Sequence, residues 1–329
     1  MDFQFAISLL IKRYKLNLKK NISSNFLDKI SINKLDGLLI ACLITNLETD
    51  IEKDIINFFI DNKNEFVINN LNILGRGLSF IVSGKNPSKG FEFLRMTGLL
   101  EIYYGWLFKC YGVEQNEYHA HDVYYHLVYS CDAAVNEQPI RLSALFHDSG
   151  KVKAKRKINT GEDEKEVFYN HEIIGATITY KTLKTLGFDI SICKQVSKLV
   201  RNHMFHYTDD WSDSAVRRFI KKAGNNMNNL FKLRDADRKG NGKRISTPAK
   251  IKEFKKRINK VIEYDKRLTV KDLDINGNHI MKKLDLEPGP VLGKILRYLL
   301  LLVEENPEYN NFDILLKEAV EYYDKQINK

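Results

Sequence analysis

A chain of 329 residues that is 43% hydrophobic can bury a substantial core, and six prolines and eighteen glycines are few for that length. Lys and Arg outnumber Asp and Glu by 52 to 42, a formal charge of +10 that favours phosphate-bearing partners, although an ordinary Lys-rich surface would also produce it. The four cysteines (Cys42, Cys110, Cys131, Cys193) stand far apart without a C-x-x-C, which argues against a zinc ribbon or a disulfide framework and for reduced thiols in a cytosolic protein.

The first residues, MDFQFAISLLIKRYK, put an acid where a signal peptide carries cations, and their apolar run is short. Residues 1 to about 70 read as three or four amphipathic helices without recognisable chemistry. LDGLLIACLIT and, much later, ILRYLLLLV are too short to span a bilayer, so they read as buried helices of a soluble, cytoplasmic protein with no membrane partner. SGKNPSKG (83–90) is a loop, broken by Gly and Pro and ending in residues that can cap the next helix. From there to Gly240 the chain carries nearly all of its histidines.

The dipeptide His-Asp occurs twice in that stretch. In HAHDVYYHLVYSCDAAV, Asp122 stands directly before an apolar-periodic run, where its carboxylate can cap the helix, and His126 lies one turn inside. IRLSALFHDSGK differs: an apolar helix ends in His147-Asp148, and Gly150 just beyond it lets the chain turn sharply, leaving both residues at the rim of the core. His171 follows in FYNHEIIGA, His203 and His206 in LVRNHMFHY, and Asp235 and Asp237 in LRDADRKG, each in or at the end of a helical segment. Imidazole nitrogens and carboxylates brought in by separate helices are how helical bundles build metal sites. Without thiolate ligands the choice runs among Mg, Mn, Fe, Co, Ni and Zn.

After KGNGKRISTP (239–248), a second break, come a Lys-rich helix, AKIKEFKKRINKVIEY, then LDINGNHIMKKLDLEPGPVLGKILRYLLLLV and a last helix towards Lys329. Two-residue alternation is scarce throughout, and the expected fold class is all-α.

His126, His147, Asp148 and Asp237 follow the order H…HD…D and resemble the HD superfamily, which consists mainly of metal-dependent phosphohydrolases. The resemblance implies that these four are the ligands of a divalent ion, with Asp148 able to bridge two. His171 and His203 are similar to the extra histidines that some members place beside the metal, where either could give a proton to the leaving oxygen, and Lys151 would face the substrate phosphate. A closer resemblance runs through NPSKGFEFLRMTGLLE, GVEQNEYHAHDVYYH, LFHDSGK, NHEIIGA, LVRNHMFHYTDDWSDSAVRRFIKKAG and DLDINGNHIMKKLDLEPGPVLGKIL. In that order they look like the carboxyl-terminal part of bacterial CCA-adding tRNA nucleotidyltransferases and related poly(A) polymerases. It implies an HD-type domain followed by a helical tail: a helical region at 1–74, an HD-type metal-binding domain at 75–240 and an RNA-binding-like tail at 241–329.

The chemistry of that family resides in an amino-terminal head with Gly-Ser and a metal-holding Asp-x-Asp. Asp235-Ala-Asp237 and Asp272-Leu-Asp274 match by letter only, with no Gly-Ser or strand pair before them. A chain of this kind is expected not to add nucleotides on its own. It would hydrolyse a nucleotide or RNA-end phosphoester, or would serve as the tRNA-holding half of a split enzyme whose nucleotidyltransferase head is a separate subunit. The candidate RNA contacts are Lys153, Lys155, Arg156 and Lys157 of KVKAKRK, Arg217 and Arg218 in an amphipathic helix with Lys221 and Lys222, and Lys294, which sits where the first amides of a helix can receive a phosphate. The same cations would also suit a solvated face.

Overall fold

The computed structural model describes residue 8 and residues 33–46, 51–115, 119–159, 164–205, 207–208, 210–243 and 249–326. The helices expected within 1–32, and His206, lie outside the described residues. The described part is helical but for one antiparallel two-stranded ribbon, which bears out the all-α expectation. Among the described residues no helix is long and apolar enough to cross a membrane. The chain forms two compact units, Met1–Phe205 with Asn225–Ser246, and His206–Gly224 with Thr247–Lys329.

In the first unit, α1 (Asp36–Ile44) is buried along its whole length, as a helix apolar all round must be. α2 (Lys53–Asp61) buries Ile55 and Phe59, one turn apart. α3 (Leu71–Ser83) starts where the Asn70 side chain accepts from the amides of Asn72 and Ile73. α4 (Pro87–Met96) opens on proline, whose missing N–H costs nothing in a first turn. With α5 (Leu99–Phe108), these helices share one hydrophobic core with the histidine-bearing helices, running from Leu38 to Val200. Residues 36–83 are therefore part of the same compact body as the segment that follows, and residues 206–224 group with the carboxyl-terminal unit.

The histidine-bearing helices are α6 (Val123–Ala133), α7 (Gln138–Phe146), the single turn α8 (Lys151–Ala154), α9 (His171–Thr185), α10 (Ile190–Asn202) and α12 (Met227–Gly240). Between them α11 (Asp213–Ala223) belongs to the second unit. α9 packs along α10, α12 along α6, and α6 against α7.

Two glycines set how closely α8 approaches α9 and α12 approaches α6. Gly150 has an ordinary φ of −71°, which any residue adopts, so the turn there does not itself require glycine. It has to be glycine for another reason, since a Cβ there would lie 2.0 Å from the His171 carbonyl oxygen and 2.6 Å from the Gly175 nitrogen. At Gly240 a Cβ would come within 2.4 Å of the Ser130 nitrogen, so α12 reaches α6 only with glycine at that position.

The basic run KVKAKRK begins as the helical turn α8 and ends in strand. β1 (Arg156–Asn159) pairs with β2 (Glu164–Val167), with Arg156 opposite Val167 and Lys157 opposite Glu166. Four-residue strands made mostly of charged residues carry too little apolar alternation to register in the sequence.

The second unit holds α11, α13 (Ala249–Arg267), α14 (Gly277–Leu284), α15 (Pro290–Glu305) and α16 (Phe312–Gln326). Leu273, Ile275, Ile280, Ile295, Leu299, Val303, Leu315 and Ala319 form one core within it. ILRYLLLLV is accordingly a one-faced packing helix, with Ile295, Leu299 and Val303 inside and Leu301 54% exposed.

Candidate metal centre

The first His-Asp pair is structural. Asp122 accepts from the Tyr125 amide and the Gly112 amide, each at 2.8 Å, and thereby caps α6. The second pair lies at the end of α7, whose last residue, Phe146, is stacked on Trp106 with ring centroids 3.8 Å apart. That stacking anchors the helix end from which His147 and Asp148 project.

Around Asp148 the six residues expected at a metal centre converge. His126 Nε2 lies 3.0 Å from His147 Nε2. The Oδ2 atom of Asp148 is 3.4 Å from His126 Nε2 and 3.3 Å from His147 Nε2, and Asp237 Oδ1 is 3.3 Å and 3.7 Å from the same two nitrogens. The other oxygen of Asp148, Oδ1, faces His171 Nε2 at 3.2 Å and His203 Nε2 at 3.5 Å. His126, His147, Asp148, His171 and His203 are all buried. The carboxylate of Asp148 thus has one oxygen in each of two groups that could hold a metal, {His126, His147, Asp148, Asp237} and {Asp148, His171, His203}.

The protonation pattern fits a cation. Nδ1 of His147, His171 and His203 lies 2.8, 2.7 and 2.7 Å from the carbonyl oxygens of Ala144, Phe168 and Val200. A carbonyl only accepts, so each Nδ1 carries the proton, and in a neutral ring Nε2 is left as a lone pair. The Nε2 atoms of His171 and His203 are buried without a hydrogen-bond partner and face a carboxylate oxygen. Lone pairs aimed at a carboxylate repel, whereas a divalent cation among them satisfies every donor, and carbonyl-oriented imidazoles are the usual supporting arrangement for metal-ligating histidine. The nitrogen and oxygen donors suit Zn, Mn, Fe, Co or Ni, with Mg favoured only where carboxylate oxygens and water dominate.

The electrostatics agree. Burial alone would lower the His147 pKa, but Asp148 and then Asp237 outweigh it and push it up to about 10, so without a metal a proton supplies positive charge there. Burial opposes charge on Asp148 and Asp237, yet Lys151 and His147 hold Asp148, and His126 and His147 hold Asp237, well below the usual carboxylate range. Burial holds His203 below its ordinary value.

Lys151 Nζ sits 2.6 Å from Asp148 Oδ2 and donates to Gln115 Oε1 at 2.5 Å. Arg234 donates to Asp237 Oδ2 at 2.9 Å, leaving Oδ1 to the imidazoles. A cavity of about 410 Å³ opens onto the cluster, walled in part by His119, Lys151, His171, His203, Arg234 and Arg238. A second recess of about 560 Å³ lies beside α6, among Ile44, Glu92, Tyr125 and Tyr129, and contains none of the six residues.

His119 and Arg234 were not foreseen. His119 offers a ring nitrogen within 4.8 Å of donor atoms of His126 and Asp148, and burial, then Lys151, lowers its pKa to about 4. The alternation His119-Ala120-His121 just upstream of His126 was the available signal for the first, and Arg234 one helical turn before Asp237 for the second.

The candidate RNA residues are scattered. Lys153, Arg156 and Lys157 are exposed, while Lys155 pairs with Glu166 at 2.9 Å. Arg217 departs from the expectation. It is buried and grips Asp265 through Nε and Nη2, the closest contact being 2.6 Å, so its charge is spent within the second unit. Arg218, which reaches Ser214 Oγ at 3.1 Å, and Lys294, near the start of α15, are exposed.

A helical frame presenting one histidine, a His-Asp pair and a distal aspartate to one buried point is the arrangement of an HD-type domain, with residues that could hold a metal. Residues 117–251 match the family model for the HD domain. The chain is 26% identical over 229 residues to the A-adding tRNA nucleotidyltransferase of Deinococcus radiodurans, covering 68% of this chain and 52% of that protein. It is 28% identical over 218 residues to the CC-adding tRNA nucleotidyltransferase of Thermus thermophilus, covering 64% of this chain and 48% of that one. The protein therefore carries an HD domain within a longer stretch similar to tRNA nucleotidyltransferases, and it spans about half the length of the curated relatives it matches.

Proposed function

We propose that this protein is a metal-dependent phosphohydrolase of the HD superfamily, acting on a nucleotide or RNA-end phosphoester. The observation that carries this reading is the placement of Asp148, with one oxygen toward His126 and His147 and the other toward His171 and His203. His126, His147, Asp148 and Asp237 would hold one divalent cation, and Asp148, His171 and His203 a second. Bound divalent ions supply a water of lowered pKa and charge compensation for phosphoryl oxygens. Lys151 and Arg234 each hold a ligand carboxylate in place and line the cavity, where their charge favours a phosphate over a neutral ligand. With His171 and His203 as ligands, neither is free to give a proton to a leaving oxygen, and that delivery falls to another cavity group.

The test is hydrolysis of 2′,3′-cyclic AMP and of a simple phosphomonoester by purified protein with Mg, Mn, Co and Ni supplied separately, beside a His147→Ala/Asp148→Ala control. Turnover that requires metal and vanishes in the control supports the reading; no turnover with any metal ends it.

A second reading rests on the similarity to the A-adding and CC-adding enzymes over about two thirds of this chain. On it, the protein is the tRNA-holding part of a nucleotide-adding enzyme whose catalytic head is supplied separately. Co-purification with a nucleotidyltransferase would favour it, and failure to bind tRNA at low salt would remove it.

A further inference from the structure

Two large side chains stand exposed at the cavity that opens onto the metal centre: Tyr169, 66% exposed, and Met204, 53% exposed. A lone exposed tyrosine means little. These two are distinguished by how they are held. Tyr169 lies between Phe168, whose carbonyl takes the Nδ1 proton of His171, and Asn170, which adopts a left-handed φ of 59° as it leads into α9. Asn is among the few residues other than glycine that accept this conformation, and it bends the chain tightly there. The Phe168 ring is also tethered, 5.6 Å beneath the Lys151 ammonium. Met204 follows directly on His203, whose Nδ1 is tied to the Val200 carbonyl. Tyr169 therefore follows a residue whose carbonyl accepts from His171, and Met204 follows His203 itself.

The same cavity is lined by the cations Lys151, Arg234 and Arg238, and its volume of about 410 Å³ suits one small ligand. Phosphate-holding charge and a tyrosine–methionine rim on one cavity match the two halves of a nucleoside phosphate. Aromatic rings stack on any base, and a thioether packs well against π-faces. We infer that Tyr169 and Met204 form the platform for the base of a nucleoside phosphate whose phosphate sits at the Asp148–Asp237 centre. The inference rests on the phosphoester reading given above and adds the recognition of the nucleoside. A free nucleotide and the end of an RNA strand present the same chemistry.

The test titrates full-length, Mn-loaded protein with the non-hydrolysable phosphonate analogues of AMP and of ribose 5-phosphate, which differ only in the base. The adenosine compound should bind about tenfold more tightly, within the range that stacking of one base contributes. That preference should fall to about twofold or less in Tyr169→Ala and return in Tyr169→Trp. A short oligoribonucleotide with a terminal phosphate, used as competitor, tells a strand end from a free nucleotide. Equal binding of the two analogues, or a preference that survives Tyr169→Ala, overturns the inference. Phosphate release from ribose 5-phosphate and AMP is followed separately. Its absence with every metal, alongside an intact Tyr169-dependent preference, would remove the hydrolase reading and leave the base platform standing.

Discussion

His121-Asp122 and His147-Asp148 are the same two letters in different places, and position decides what each carboxylate does. Asp122 precedes α6, where the first amides of a helix have no partners within it, and its oxygens go to the Tyr125 and Gly112 amides. Beside it, the His121 ring packs edge-on to Tyr129, with centroids 4.9 Å apart. Asp148 follows the end of α7, where helix amides are already used. Its oxygens turn instead to side chains carried by α6, α8 and α9 and by His203 just past the end of α10. A carboxylate at a helix start is absorbed locally, while one just past a helix end, buried among other helices, gathers partners across the fold.

The sharpest way to break this contrast is to remove charge at each aspartate in turn. Asp148→Asn should lower metal-dependent turnover by at least about 100-fold, the upper range for losing even an outer-shell partner of a metal ligand. Asp122→Asn should leave turnover within about twofold, because an amide oxygen can still cap the helix. Steady-state kinetics at saturating Mn checks both, and equal losses in the two variants would collapse the distinction.

Gly150→Ala probes the frame behind the second pair. A methyl group 2.0 Å from the His171 carbonyl forces α8 and α9 apart, so unfolding should cost about 1–3 kcal/mol less, with weaker metal binding alongside. Denaturant unfolding and a metal titration on the same preparation measure the two effects. Asp122→Ala should cost about 1 kcal/mol, the usual value of a helix cap, with metal stoichiometry unchanged. The smallest effect is expected at the exposed cations. If the second unit meets RNA, Arg218→Ala and Lys294→Ala should each weaken tRNA binding a few-fold and reduce its salt dependence by about one unit of slope, without affecting unfolding.

Much of this was legible in the sequence because the features concerned are periodic or local. The helical class follows from apolar spacing and the Asp122 cap from one acid before an apolar run, while His126, His147, Asp148 and Asp237 were singled out by their resemblance to the HD pattern, and the fold brings them together. What escaped depends on contacts across the fold. The reason position 150 must be glycine lies in the backbone of His171, not in its own turn. Arg217 reads as a surface cation until Asp265 closes on it. The pairing of Arg156–Asn159 with Glu164–Val167 is hidden because charged residues dominate the two short strands. His119 and Arg234 matter only through what stands opposite them in the cavity.

The most direct test of the central claim, that Asp148 ties two ligand sets into one centre, is the count of Mn ions held per chain by stripped and reloaded protein. Elemental analysis after gel filtration would give the count, and electron paramagnetic resonance would report coupling between the ions. Two coupled ions in the wild type, two in Asp122→Asn and at most one uncoupled ion in Asp148→Asn is the predicted outcome. No bound Mn in the wild type, or the same coupled pair in Asp148→Asn, would contradict it.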